Sequence, residues 1–188
     1  MKMFLAVLMM VLGAVSATAG PAAFSPPLRL DGAMLDGCVE LAGEYLLARQ
    51  KDEGNFVYEY DFLSRRPTAE DNPVRQAGAL WGLALLHKKR ASARTFAALE
   101  KGLGFFKRHS RVTGEARYLV YPGEKKGPLG AVALVALTLL DFIPSIRDEK
   151  IKSRYANDLK QYLNFLLSAR RTDGRFLSGY DLETGKPS

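Results

Sequence analysis

Residues 45–67, YLLARQKDEGNFVYEYDFLSRRP, return as residues 165–187, FLLSARRTDGRFLSGYDLETGKP, 120 positions later and without a gap. Leu46, Leu47, Gly54, Phe56, Tyr60, Asp61 and Pro67 each meet an identical residue in the second copy. A fainter copy lies halfway, at residues 105–121, with Gly114 and Tyr118 in the places of Gly54 and Tyr58. Glycines 54, 114 and 174 therefore mark a period of 60 residues. A chain with that period builds similar units and stacks them, each burying the apolar face its neighbour leaves open.

Each unit reads as an amphipathic helix, a long loop and an apolar helix rich in small residues. The first amphipathic helix is expected over residues 35–49, with Leu35, Cys38, Val39, Ala42, Tyr45 and Leu46 on one face. Gly54 is placed to take the left-handed conformation that ends it. Asn72 then caps an inner helix over 73–88, and Pro73 suits its first position. That helix is apolar almost all round, as a helix buried on most sides should be. The second unit repeats the plan over 92–109 and 128–142, and the third begins with a helix over 148–170. The fold class expected is all-α: repeated helical hairpins of about 60 residues in a partial ring, with every loop on one rim. Trp81, Phe56 and Phe176 are expected in the core.

The first 19 residues have the form of a secretion signal. One lysine precedes an apolar run, and Ala17-Thr18-Ala19 offers a small-residue cleavage site. Residues 20–34 read as a proline-rich arm, and residues 35–188 as the domain. A secreted or periplasmic location follows. The apolar run is too short to span a bilayer comfortably, so no stable membrane insertion is expected. The lone Cys38 permits no internal disulfide and is expected to behave as a small buried apolar residue. The net charge is +7, spread in short clusters that mostly close helices, where cations suit the dipole. Neither that pattern nor export favours nucleic acid; anionic glycans fit both.

The segment Gln50-Lys51-Asp52-Glu53-Gly54-Asn55-Phe56, together with the alternating helices, resembles the α/α-toroid proteins of the six-hairpin glycosidase-like superfamily. The same segment also resembles the glutamine–aromatic repeat of terpenoid cyclases. The resemblance covers residues 35–188 and implies a carbohydrate-active protein that hydrolyses, cleaves or epimerises a polysaccharide. The chain supplies two and a half hairpins of the six, which points to a homodimer, a missing C-terminal half or a truncated inactive fragment. Relatives that hold zinc with cysteine and histidine are disfavoured, since Cys38, His87 and His109 have no ligand spacing. The acidic run of terpenoid cyclases is absent as well. No metal or other cofactor is expected.

Glycoside chemistry needs one protonated and one ionised carboxyl group, held apart by their environments. Asp71, at the start of an inner helix, suits the ionised role, and Glu70 or Asp61 the acid. Tyr58, Tyr60 and Tyr121 can stack on sugar rings, with Arg75 and Glu124 beside them. Structural roles compete. Asp61 and Asp181 share a repeat position and suit turn-capping. Tyr60 and Tyr180 suit packing between hairpins. Arg75, in the first turn of a buried helix, needs a carboxylate such as Asp61 or Asp71, or else an anionic sugar. His87 and His109 read as helix-end cations. A glycan- or protein-binding scaffold without catalysis is the alternative to an enzyme.

Overall fold

A computed structural model describes residues 31–188. The segment expected to be a secretion signal and most of the expected proline-rich arm lie outside the described residues. Five α-helices carry the fold: α1 Gly32–Arg49, α2 Pro73–Lys89, α3 Ala93–Arg108, α4 Leu129–Phe142 and α5 Glu149–Ser168. The inner helices fall where the apolar runs predict them. Asn72 caps α2 through its side chain, which accepts from the Arg75 N–H at 3.0 Å. Ser92 and Thr95 form a reciprocal capping box at α3. The helix α1 starts about one turn before the expected point, because Asp31 accepts from the Met34 N–H at 2.8 Å.

The purely all-α expectation is corrected. Three two-stranded antiparallel sheets pair β1 Tyr60–Asp61 with β2 Arg66–Pro67, β3 Ser110–Thr113 with β4 Ala116–Leu119, and β5 Lys126–Pro128 with β6 Gly179–Asp181. They arise because the backbone groups of the long loops must find partners, within one loop for β1–β2 and β3–β4 and between two loops for β5–β6. No closed ring of helices forms among the described residues.

The core runs between α2 and α4. Ala77, Leu80, Leu83 and Ala84 of α2 face Ala131, Val132, Val135 and Leu139 of α4, all buried. Gly102 of α3 leaves the space that the Leu80 side chain fills. Around the rim, Tyr118 stacks on Phe165 at 5.2 Å, and Tyr180 meets the same ring edge-on at 4.8 Å. Tyr180 thus packs between hairpins as expected, while its repeat partner Tyr60 stays exposed.

The repeat is reproduced bond for bond. The Lys51 N–H donates to the Asn55 carbonyl at 2.8 Å and the Val57 N–H to the Arg49 carbonyl at 2.9 Å. Residues 171, 175, 177 and 169 repeat these bonds at 2.7 and 3.0 Å. Asp61 receives the N–H groups of Leu63 and Ser64, as Asp181 receives those of Glu183 and Thr184. The Ser64 side chain first, and then the Leu63 amide, hold the Asp61 carboxyl below the ordinary aspartate range, and the Thr184 amide and side chain do the same for Asp181. Arg65 in the first turn and Gly185 in the second are both left-handed, at φ 54° and 71°. A side chain there costs about 1–2 kcal/mol, partly offset by the entropy of glycine. Arg65→Gly is therefore expected to raise stability by about 0.5 kcal/mol. A denaturant midpoint that falls instead would contradict this.

Three expectations about burial are corrected. Cys38 is exposed, because α1 leans mainly on α2 and buries a single residue, Gly43. Trp81 is only half-buried, and its indole N–H donates to Asp141 at 3.0 Å. Phe56 is buried as expected, but Phe176 is exposed, since no described helix follows its loop.

His87 is likewise no helix-end cation. It is 3% exposed, with Nδ1 at 2.7 Å from Thr95 Oγ1 and Nε2 at 3.1 Å from Ser145 Oγ. A neutral ring donates through one nitrogen and accepts through the other, so one of these hydroxyls turns from its backbone carbonyl to the ring. Burial depresses its pKa, and burial with the Arg108 charge does the same to His109. For a histidine depressed in the folded state, stability is fully present above the unfolded value near 6.5 and is lost as pH falls below it. The melting temperature should fall between pH 7 and pH 5, and His87→Gln should flatten that fall. An unchanged slope would rule out His87 as a source.

Candidate functional site at the rim

The C-terminal end of α1, the loop after it and the first turns of α2 enclose a groove of about 400 Å³. Tyr45, Arg49, Tyr58 and Arg75 form its polar walls, and Phe56 and Gln76 its floor. Tyr45 and Tyr58 are exposed enough to offer ring faces. The Arg49 guanidinium lies 5.7 Å from the centre of the Tyr45 ring. Arg75 corrects the expectation of burial: it lies on the solvent side of the first turn of α2. Neither arginine makes an ion pair among the described residues. Glu59 also lines the groove and takes a long hydrogen bond from the Thr68 hydroxyl, at 3.4 Å.

The floor is fixed by Gln76. Its Oε1 accepts from the Phe56 N–H at 2.7 Å, and its Nε2 donates to the Phe56 carbonyl at 2.8 Å. Nε2 also reaches Asp71 Oδ1 at 2.6 Å. Asp71 takes three further donors: the Asn72 N–H at 2.8 Å, the Tyr121 hydroxyl at 2.7 Å and Asn55 Nδ2 at 3.4 Å. This carboxylate ties the loop after α1, the start of α2 and the loop after β4 into one unit. Burial first, and then the bond to Asp71, push the Tyr121 hydroxyl far above the ordinary tyrosine value. Tyr121 is therefore a fixed donor and stays protonated.

Beyond Asn55 lies a smaller hollow of about 280 Å³, lined by Lys51, Glu53, Phe105, Arg108 and His109. The buried Asn55 Oδ1 has no partner among the described residues. Among the described residues no three His, Cys, Asp or Glu side chains converge as a metal site requires.

Of the residues singled out from the sequence, Tyr58 and Arg75 share the groove, and Asp71 and Tyr121 share a hydrogen bond. Tyr60 and Asp61 sit in the β1–β2 hairpin, where Asp61 holds the turn. Glu70 and Glu124 are exposed. Tyr45, Arg49 and Asn55 were not singled out. Buried Gln76 was the available signal, being a polar residue in the first turn of an otherwise apolar helix.

No family profile and no curated protein matches the sequence. The fold matches solved structures of a family 10 polysaccharide lyase from Cellvibrio cellulosa, at a TM-score of 0.50 and 13% identity. One is the lyase itself, and the other an aspartate-to-alanine variant in complex with trigalacturonic acid. The match covers 85% of this chain and 59% of that one. At that identity it speaks of fold alone.

The resemblance to six-hairpin glycosidase-like toroids, and with it to terpenoid cyclases, is corrected by this match and by the open set of hairpins. The quoted loop is a local device. Gln50 Nε2 donates to the Gly54 carbonyl at 3.1 Å and to the Ala98 carbonyl of α3 at 2.9 Å. Such a bond fixes how one helix meets the next and carries no information on how hairpins close. No helix among the described residues is long and apolar enough to cross a membrane.

Proposed function

We propose that this protein is carbohydrate-active and binds an acidic polysaccharide in the groove between α1 and α2. The observation that carries the reading is the pair of guanidiniums, Arg49 and Arg75, lining one groove without carboxylate partners. A guanidinium offers a planar fork that matches a sugar carboxylate. Tyr45 and Tyr58 supply ring faces for the apolar side of a sugar. The similar lyase structure with trigalacturonic acid supports a uronate ligand.

Binding is favoured over turnover because Asp71, the most enclosed of the candidate carboxylates, spends both oxygens on protein donors. Turnover is the second reading, and Asp71 carries it. Asp71→Asn keeps an oxygen for Asn72 and Gln76 while removing the charge.

The test is calorimetric titration of trigalacturonic acid into the chain and its variants. Arg49→Ala and Arg75→Ala should each weaken binding about tenfold, the loss of one charge-assisted contact. Both residues are exposed, so folding is retained. Binding that is indifferent to both substitutions would remove the groove from the account. Release of unsaturated or reducing ends that stops in Asp71→Asn would establish the turnover reading.

A further inference from the structure

The loop of residues 49–57 and its copy at 169–177 share their backbone bonds but not their surroundings. In the first copy Phe56 is 4% exposed, and its peptide N–H and carbonyl are both taken by Gln76 of the next helix. In the second copy Phe176 is 53% exposed. Its N–H and carbonyl meet no partner among the described residues. Beside it lies a hollow of about 460 Å³ between α4 and α5, walled by Leu129, Ala133, Leu163, Leu166 and Leu167. No charged side chain lines it, and Ser178 is its only polar one.

We infer that this face receives a helix of the α2 kind, apolar, built of small residues and carrying a glutamine in its first turn. The internal repeat supplies the template. A helix so placed covers Phe176 as α2 covers Phe56, and its glutamine closes the open peptide group of Phe176 on both sides. A sugar would find almost no polar side chain here. A lipid chain would cover the leucines but leave the peptide group unpaired, which costs free energy once buried. A second copy of this chain has no free helix of this kind to offer, since its own α2 is already committed to Phe56 and α4 and its exposed α1 carries no glutamine. The inference is independent of the acidic-glycan reading.

The probe is a labelled peptide of residues 69–90, which carries the whole of α2, titrated into the intact chain by fluorescence anisotropy. Saturable binding is expected. Gln76→Ala in the peptide should weaken it at least about tenfold, the loss of a two-bond clamp. Leu167→Lys in the chain, at a position 61% exposed, should abolish it without unfolding the protein. The peptide substitution leaves the chain untouched, so misfolding cannot imitate its effect. Equal affinity for the Gln76→Ala peptide or a scrambled one would overturn the inference. So would decanoate binding that Leu167→Lys removes while the peptide fails to bind. Concentration-dependent dimerisation lost in Leu167→Lys would assign the face to a second copy and equally overturn it.

Discussion

Gly54→Ala is expected to destabilise the protein by about 4 kcal/mol, while Gly174→Ala at the same repeat position costs about 1 kcal/mol. Both glycines are left-handed, at φ 107° and 85°, so both substitutions carry the conformational penalty. The difference is packing. A Cβ on Gly54 would fall on the backbone carbonyl of Lys101 and lie 3.0 Å from the Phe105 Cβ. These atoms belong to α3 and cannot swing aside as a side-chain tip would. A Cβ on Gly174 meets only the tip of the Arg170 side chain, at 3.9 Å. The pair separates close packing from backbone strain within one molecule. Equal losses in urea denaturation would show that α3 does not press on the first loop.

Asp158→Ala comes second, with an expected cost of about 3–5 kcal/mol. Asp158 is a buried carboxylate on α5, its side chain 8% exposed. It accepts from Lys107 at 2.8 Å and from Arg117 at 3.3 Å. Arg117, 10% exposed, also donates to Gln161 at 2.9 Å and to Ser110 at 3.0 Å, and lies 5.8 Å from the Tyr162 ring centre. Burial pushes the hydroxyl of Tyr162 up to about 12, so that ring stays neutral beneath the guanidinium. Removing the carboxylate leaves a buried cation without its counter-charge, and removing a partner from such a pair costs far more than the pair contributes. Lys107→Met, at a side chain 46% exposed, should cost under about 1 kcal/mol. A mild effect of Asp158→Ala in thermal melts would mean that water reaches Arg117.

The helices were legible because their signals are local. Asn72 followed by Pro73 fixes the start of α2, and the small-residue runs of α2 and α4 leave no polar face to solvate. The sheets were not, since strands of two to four residues carry no alternation that a sequence displays, and β5 pairs with β6 from a different loop. Burial failed where it depended on neighbours. The stripe from Leu35 to Leu46 looks like an inward face, but little of the described chain covers it, so Cys38 and Tyr45 stay outside. That stripe also hides the groove, because Tyr45 falls within it and Arg49 closes the expected helix. Tyr58 and Arg75 were visible as ligand-type residues on one loop and one helix start. Asp71 was visible through its place before a capped helix. Its four donors come from three separate segments, and no spacing in the sequence announces that convergence. His87 misled for a related reason: its place near basic residues suggests a cation, whereas Thr95, Ser145 and the ring of Phe142, 5.7 Å away, enclose it.

The most direct test of the acidic-glycan groove compares two trisaccharides against the unaltered chain, trigalacturonic acid and a neutral galactose trimer, at low and at physiological salt. The account predicts saturable binding of the acid that weakens as salt rises, with the neutral trimer bound at least about tenfold more weakly at low salt. Equal affinity for both sugars, or binding of the acid that salt leaves unchanged, would contradict the role given to Arg49 and Arg75.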